Sequence, residues 1–409
     1  MIERKNKRIG RIGIFAVAHS VYWDQFDGLE DNIMGFHKDF CKMVEDNDIE
    51  VVDFGMIDSN EKAFEAVPRI LAADVDVLFC NMVTYATSSV FAPIIKQVDK
   101  PMVLVALQPR KAMDYTKACT FMQLENDNIC SVPEFTGVAI RMGKKVNDVI
   151  LGSLYDDDDA KKQLILNELD TPDPGSDPVA TKLTDEDLTQ AAHTAVALDK
   201  FIEKYNLTGL AYYYEGKPDT LQRTVATTFI VGNSILNAQG IPMCGEFDVK
   251  TCIAMLIMDR LNIGGSFAEF HPFDFNEDFI LVGHDGPHHL RIAEGKPVLR
   301  SLSKYHGKPG HGASVEFKIK EGPITMLGIT QKADGSFKFV IGEGYSKEGP
   351  IPPTGNTNTR GFFKPTTKEF IKKWVMEGPT HHYALGVGHH AETIAKIADI
   401  LGIESVIVR

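Results

Sequence analysis

The sequence predicts an α/β protein: two Rossmann-like α/β domains with parallel sheets, followed by a C-terminal antiparallel β-barrel-like domain. Three observations carry this. Apolar strands alternate with amphipathic helical stretches through the first 110 residues, the same rhythm resumes between about 136 and 265, and beyond 265 the texture changes to short strands broken by Gly and Pro. At 409 residues, and about 150 residues per domain, two or three domains are expected. The boundaries read from these changes are 1–135, 136–265 and 266–409.

In the first domain the strands are "RIGIFAVA", "IEVVDFGMI", "VDVLFCNMV" and "PMVLVALQP", spaced by helical segments as βαβ units require. No GxGxxG follows the first strand and no GxxxxGK[ST] occurs anywhere. The chain therefore carries neither the dinucleotide fingerprint nor a P-loop, and neither NAD nor ATP is expected. The second domain opens near "TGVAIRMG", crosses the proline-rich "LDTPDPGSDPVATKLTDED", and enters a helix from Leu183 to about Tyr205, with Thr184 as its start signal. "GLAYYYEG", "RTVATTFIVGNSILNAQG" and "IPMCGE" continue the alternation. In the third, "ASVEFKIK", "PITMLGIT" and "FKFVIGEG" read as strands, with "KADGS" as a hairpin turn. A helix over 389–401 and the strand "ESVIVR" follow.

Composition narrows the function. A net charge of −13 argues against a general nucleic-acid binder, which needs a basic footprint. No apolar run approaches the roughly 20 residues of a membrane span. The basic start and brief apolar run of "MIERKNKRIGRIGIFAVAHS" read as a first strand and not as a secretory signal, so a cytoplasmic location is expected. Cys41, Cys80, Cys119, Cys130, Cys244 and Cys252 show no CxxC spacing and are expected to be reduced, buried thiols. The acidic run "YDDDDAKK" lacks the glycine turn and spaced ligands of a calcium loop and reads as solvated.

Ten of the 13 histidines lie between residues 271 and 390, including two pairs in "GPTHHYALGVGHHAE". In "GEFDVKT", Glu246 ends a strand and precedes a helix, at the place where α/β sheets hold ligands. Helix capping by Glu246 or Asp248 is the equal alternative. In "SFAEFHPFDFNEDFILVGH", a turn at "NED" makes a hairpin that brings Glu269 beside His284. Two glutamates and an imidazole, without cysteine, suit Mn²⁺ or a similar divalent ion. One further imidazole would complete such a set.

These segments, "GEFDVKT", "SFAEF…DFILVGH" and "GPTHHYALG", resemble in order the metal motifs of the L-arabinose isomerase family, within the L-fucose and L-arabinose isomerase superfamily. Intervals are shorter here, and the chain is shorter than typical members. The resemblance implies Glu246, Glu269, His284 and His382 as ligands of Mn²⁺, with Glu246 and Glu269 catalytic and His381 touching substrate. It implies further that Cys130 stands where the family has a substrate-contacting histidine delivered across a subunit boundary. His19 and Trp23, in "AVAHSVYW", stand in place of other sugar contacts.

The implied activity is metal-dependent aldose–ketose isomerisation of an open-chain pentose, hexose or deoxyhexose through an enediolate. The implied assembly is a homo-oligomer, trimer or hexamer. The alternatives are a hydrolase using metal-bound hydroxide and a non-catalytic sugar-binding protein. Lys250 is read either as a donor to a ligand carboxylate or as solvent-facing. His389 and His390 match no motif and are expected at the surface, as are His306 and His311, while Asp285, His288 and His289 are expected to be structural neighbours.

Overall fold

The computed structural model describes residues 10–45, 49–115, 117–155, 180–181, 183–214, 217, 220–302, 304–305, 308–352 and 357–409. The acidic run beyond Tyr155, most of the proline-rich segment, and His306 lie outside the described residues.

Strands β1 (Arg11–Val17), β2 (Glu50–Ile57), β3 (Val77–Met82), β4 (Met102–Gln108) and β5 (Asp148–Ser153) form one parallel sheet in the order β2-β1-β3-β4-β5. Parallel strands covered on both faces read as continuous apolar runs. Accordingly β1 is buried from Gly13 through Val17. Helices α1 (Leu29–Glu45), α2 (Asn60–Ala72), α3 (Ala92–Gln97), α4 (Thr120–Asn126) and α5 (Val132–Arg141) lie between the strands. Ser59 starts α2 by accepting the Lys62 amide. The fifth strand follows residue 135, so this layer runs on to Ser153.

The second Rossmann-like unit is present only in reduced form among the described residues. Its parallel pairing is two residues long, β6 (Leu210–Ala211) against β7 (Met243–Cys244). Around it stand α6 (Asp185–Tyr205), α7 (Leu221–Thr227), α8 (Phe229–Ala238) and α9 (Val249–Arg260). Thr184 caps α6 in a reciprocal box with Asp187.

Beyond α9 the chain builds a closed antiparallel barrel of six strands. These are β8 (Gly264–Asp274), β9 (Phe279–His284), β12 (Gly322–Gln331), β13 (Phe337–Lys347), β14 (Thr357–Phe362) and β15 (Tyr383–Val387), paired in the circuit β13-β12-β15-β8-β9-β14 and back to β13. Strands β10 (Ala293–Leu302), β11 (Ala313–Ile319) and β16 (Glu404–Val408) extend it at its flanks. Helices α10 (Thr367–Met376) and α11 (Ala391–Leu401) pack outside. Closure removes open sheet edges from the circuit. All eleven residues of β8 are buried.

Two glycines permit the approaches that position the site. A Cβ at Gly283 would lie 1.9 Å from the Thr357 carbonyl oxygen, where β9 and β14 pair. One at Gly137, in α5, would lie 2.3 Å from the Pro379 carbonyl oxygen. The second contact holds the N-terminal layer against the segment that carries His381 and His382.

Among the described residues no helix is long and apolar enough to cross a membrane. All six cysteines are free and buried.

Candidate metal centre

Three separate segments deliver the donor groups. The first leaves β7 and reaches Glu246 and Phe247, both with left-handed backbone (φ 59° and 53°). Non-glycine residues pay for that conformation. This turn directs the Glu246 carboxylate toward the barrel mouth while the Asp248 side chain accepts the Thr251 amide and starts α9. Capping and metal-facing roles, equal alternatives for Glu246 or Asp248 by sequence, thus fall on different residues. The second segment is the β8–β9 hairpin, where Glu269 pairs opposite Gly283, next to His284. The third is the approach to β15, which carries His381 and His382.

Of the four residues expected as ligands, Glu246, His284 and His382 cluster, and Glu269, grouped with Cys130 and His381, reaches His284. His284 Nε2 lies 3.8 Å from Glu246 Oε1 and 3.8 Å from Glu269 Oε1, and His382 Nε2 lies 3.7 Å from Glu246 Oε1. Donor atoms of Glu246, His284 and His382 all fall within 4.8 Å of one another. The buried His382 Nε2 has no hydrogen-bond partner, and a buried imidazole nitrogen without a partner is costly unless something else binds it. Phe267 backs both rings, with centroids 4.5 Å from His284 and 4.0 Å from His382. Carboxylate oxygens and imidazole nitrogens gathered together fit a divalent cation.

Groups around the donors set their orientation and charge. Asp248 Oδ2 lies 3.7 Å from His382 Nδ1, the place of the carboxylate that orients a metal-binding histidine. Burial, which by itself raises the Asp248 pKa, is outweighed by His382 and Thr251, so Asp248 is held below the usual carboxylate range. His284 Nδ1 receives the Gly286 amide at 2.9 Å and lies 3.4 Å from Asp285 Oδ1. Because Nδ1 accepts the Gly286 amide, the neutral ring carries its proton on Nε2; ligation through Nε2 would require that proton to move to Nδ1, with Asp285 Oδ1 as the acceptor at hand. Burial holds His284 well below its ordinary pKa, so the ring is neutral as a ligand must be.

Glu269 is the most heavily engaged carboxylate. His381 Nε2 lies 2.8 Å from its Oε2, the Cys130 thiol donates to the same oxygen at 3.2 Å, and His271 Nε2 lies 3.8 Å from Oε1. Burial opposes ionisation, but the His381 hydrogen bond and charge, with His271 and His284, hold Glu269 well below its ordinary pKa. Burial likewise opposes charge on His381, and Glu269 outweighs it, raising His381 to about 9. Burial, first, and Glu269 keep Cys130 a neutral thiol.

Two neighbouring cavities adjoin these groups, both lined by Tyr85, Glu246 and His381. The inner one, about 90 Å³, is bounded by Tyr22, Cys130, Glu269, His271 and His284. The outer cleft, about 400 Å³, is bounded by Arg141, Phe247, Lys250 and His382 among others. Burial keeps the Tyr22 and Tyr85 phenols protonated.

Cys130 and His381, expected at substrate, line the inner cavity. His19 sits behind that wall, edge-on to Tyr22 and Tyr85 at centroid distances of 5.7 and 6.1 Å. Trp23 does not reach it in this chain: its indole N–H donates to Asp58 at 3.0 Å, because the 3₁₀ turn Ser20–Tyr22 faces Tyr22 inward instead. Lys250 makes no ion pair with a ligand carboxylate among the described residues and lines the outer cleft. His288 bonds Ser266 and the His284 carbonyl, and His289 faces Asp259 at 3.5 Å. His389 is exposed and donates to the Gly344 carbonyl. His390 precedes α11 and His311 lies near Asp187, both away from the two cavities.

Sequence reasoning did not single out Tyr22, Tyr85, Asp127 or His271. His271 carried a signal, since it lies two positions past Glu269 and shares its strand face. The others come from the N-terminal layer, where no motif marks them.

Residues 290–408 match the family model described as L-fucose isomerase, C-terminal domain. Curated relatives include the L-arabinose isomerase of Nocardioides sp., 29% identical over 42% of this chain and 36% of its own length. The L-arabinose isomerase of Herpetosiphon aurantiacus is 25% identical over 53% of this chain and 44% of its own length. L-arabinose isomerase 1 of Bacillus licheniformis is 27% identical over 42% and 36%. The matched stretch spans less than half the length of each of these relatives. The chain is thus similar in its C-terminal part to L-fucose isomerases and over about half its length to L-arabinose isomerases.

Proposed function

We propose that the chain is a metal-dependent aldose–ketose isomerase acting on an open-chain sugar through an enediolate. The observation that carries the reading is that Glu246, Glu269 and His284 border the inner cavity while His382, in the outer cleft, lies 3.7 Å from Glu246. These four would hold the divalent ion, with Mn²⁺ favoured by the oxygen and nitrogen donor set. When bound, the ion supplies Lewis acidity that polarises the sugar carbonyl and fixes two adjacent oxygens in one plane.

The remaining work falls to side chains. A proton must leave C2 and arrive at C1 on the same face, which one carboxylate can serve by accepting and returning it. Glu269 and Glu246 border the inner cavity and are the two candidates. His381, charged and bonded to Glu269, and the neutral Tyr22 and Tyr85 phenols are placed to donate to sugar oxygens. Cys130 restrains Glu269 from the other side. The Phe267 ring and the buried hairpin exclude water from the reacting end. The proposed assembly is a homo-oligomer, on the strength of the resemblance.

The test is incubation of the full chain with Mn²⁺ and a panel of aldoses, followed by NMR for ketose, without NAD or ATP. Ketose formation that chelation abolishes supports the reading. Release of a cleavage product points to a hydrolase, and sugar binding undisturbed by chelation without turnover points to a binding protein.

A further inference from the structure

We propose that the outer cleft binds an anionic group at the end of the sugar remote from its carbonyl, so that the substrate is an acidic aldose bearing a phosphate, sulfonate or carboxylate. This rests on the isomerase reading for the word substrate, and on the cleft itself for the anion.

The cleft adjoins the inner cavity, the two sharing Tyr85, Glu246 and His381 as walls. Its volume, about 400 Å³ against about 90 Å³ inside, leaves room for the part of a sugar beyond the reacting carbons and a tetrahedral group. Both of its cationic side chains, Arg141 at the end of α5 and Lys250 in the first turn of α9, lack a salt bridge or side-chain hydrogen bond among the described residues. This happens in a chain with 56 acidic residues against 43 basic ones, where carboxylates are plentiful.

The acids of the same cleft are each occupied. Glu134 Oε1 accepts the Ser88 amide at 2.7 Å. Asp248 accepts the Thr251 amide at 2.9 Å and its hydroxyl at 2.7 Å, and Glu246 faces His284 and His382. The carboxylates of the cleft are thus each held by hydrogen bonds or histidines, whereas its Lys250 and Arg141 side chains have no such partner among the described residues. Lys250 is half-buried, and burial lowers its pKa; Asp248 pulls it up through space and Arg141 pushes it down. Lys250 is partly buried and Arg141 exposed at the rim, and two like charges at one cleft disfavour each other until an anion enters between them. A planar guanidinium beside an ammonium is the pairing that suits phosphate, sulfonate and carboxylate oxygens.

The test has two arms. In the first, inorganic phosphate and sulfate are titrated by calorimetry into the metal-free full chain and into Lys250→Met and Arg141→Met. Saturable binding weakened about tenfold or more by each change is expected. No saturable binding, or equal binding by the variants, overturns the proposal and assigns the two cations to another role, such as pairing with a second copy of the chain. Thermal melts confirm that each variant is folded, and the two sit on different helices, so loss of one leaves the other informative.

In the second arm the Mn²⁺-loaded chain is offered matched neutral and anionic aldoses: D-glucose, its 6-phosphate, its 6-deoxy-6-sulfonate and D-glucuronate. The expected result is a kcat/KM at least about tenfold higher for one anionic sugar than for glucose, with Lys250→Met raising KM for that sugar far more than it lowers kcat. The preferred anion identifies the group. Turnover of neutral sugars with no gain from the charge overturns the proposal while leaving the isomerase intact. If no aldose reacts, the isomerase reading falls and the phosphate titration alone decides the cleft.

Discussion

His381 Nε2 stands 2.8 Å from Glu269 Oε2, and each group holds the other in its charged form inside a buried wall. The pair keeps Glu269 ionised and fixed while Cys130 donates to the same oxygen. Glu269→Gln keeps the shape and removes the charge. Ketose formation is expected to fall by about 10² to 10⁴, with the circular dichroism spectrum unchanged. Ordinary turnover in this variant would remove Glu269 from the chemistry.

Asp248 Oδ2 lies 3.7 Å from His382 Nδ1 and would orient that ring toward a bound ion. Asp248→Asn is expected to weaken Mn²⁺ binding by about 10- to 100-fold, measured by competition with a chelating dye. His382→Ala goes further: the rise in Tm that Mn²⁺ gives the wild type, as expected for a ligand bound only by the native state, should disappear. An undiminished rise would take His382 out of the ligand set.

The close pass of Gly137 under the Pro379 carbonyl ties the histidine-bearing segment to the N-terminal layer. Gly137→Ala forces that contact apart. A destabilisation of about 1–3 kcal/mol is expected from such overpacking, seen in urea melts, together with weaker Mn²⁺ binding. Full stability with full metal affinity would show that the two layers do not need this contact.

Burial raises the Cys41 thiol from its ordinary 9 to about 12 and Cys252 to about 11. At pH 8 the thiolate fraction of Cys41 is then roughly one in 10⁴, so a disulfide reagent should react slowly with native protein and fast after denaturant. The sign for stability follows from linkage. Both pKa values are raised on folding, so the contribution is complete below pH 9 and declines as pH rises through the interval up to 11 and 12, where the unfolded chain releases protons first. The difference in Tm between wild type and Cys41→Ala should shift in the variant's favour from pH 8 to pH 10, and a constant difference would contradict the assignment.

Much of this arrangement was legible in the sequence, for identifiable reasons. Strand rhythm disclosed the parallel layer and the Gly-broken barrel, because pleat and burial impose their periods directly. Glu246, Glu269 and His284 stand out as candidates because each sits in a compact segment with its own turn chemistry, while His382 is picked out of its histidine pair only by the family resemblance. The second Rossmann-like unit shrank to a two-residue parallel pair, since "GLAYYYEG" and "IPMCGE" have strand composition but too few neighbours to extend a ladder. Trp23 and Tyr22 could not be told apart, because one step of a 3₁₀ turn decides which ring faces the cavity. Arg141 and Lys250 lie far apart in sequence, and only the tertiary fold places them in one cleft.

Strand β15 lies between β12 and β8 in the circuit, yet it comes after both in the chain, and His382 immediately precedes it. During synthesis on the ribosome, both neighbours must therefore wait as bare edges until this late segment emerges. The insertion that seals the cylinder is the same event that delivers the last imidazole. A chain halted before β15 therefore presents two open strand edges and lacks the His382 imidazole of the proposed metal site.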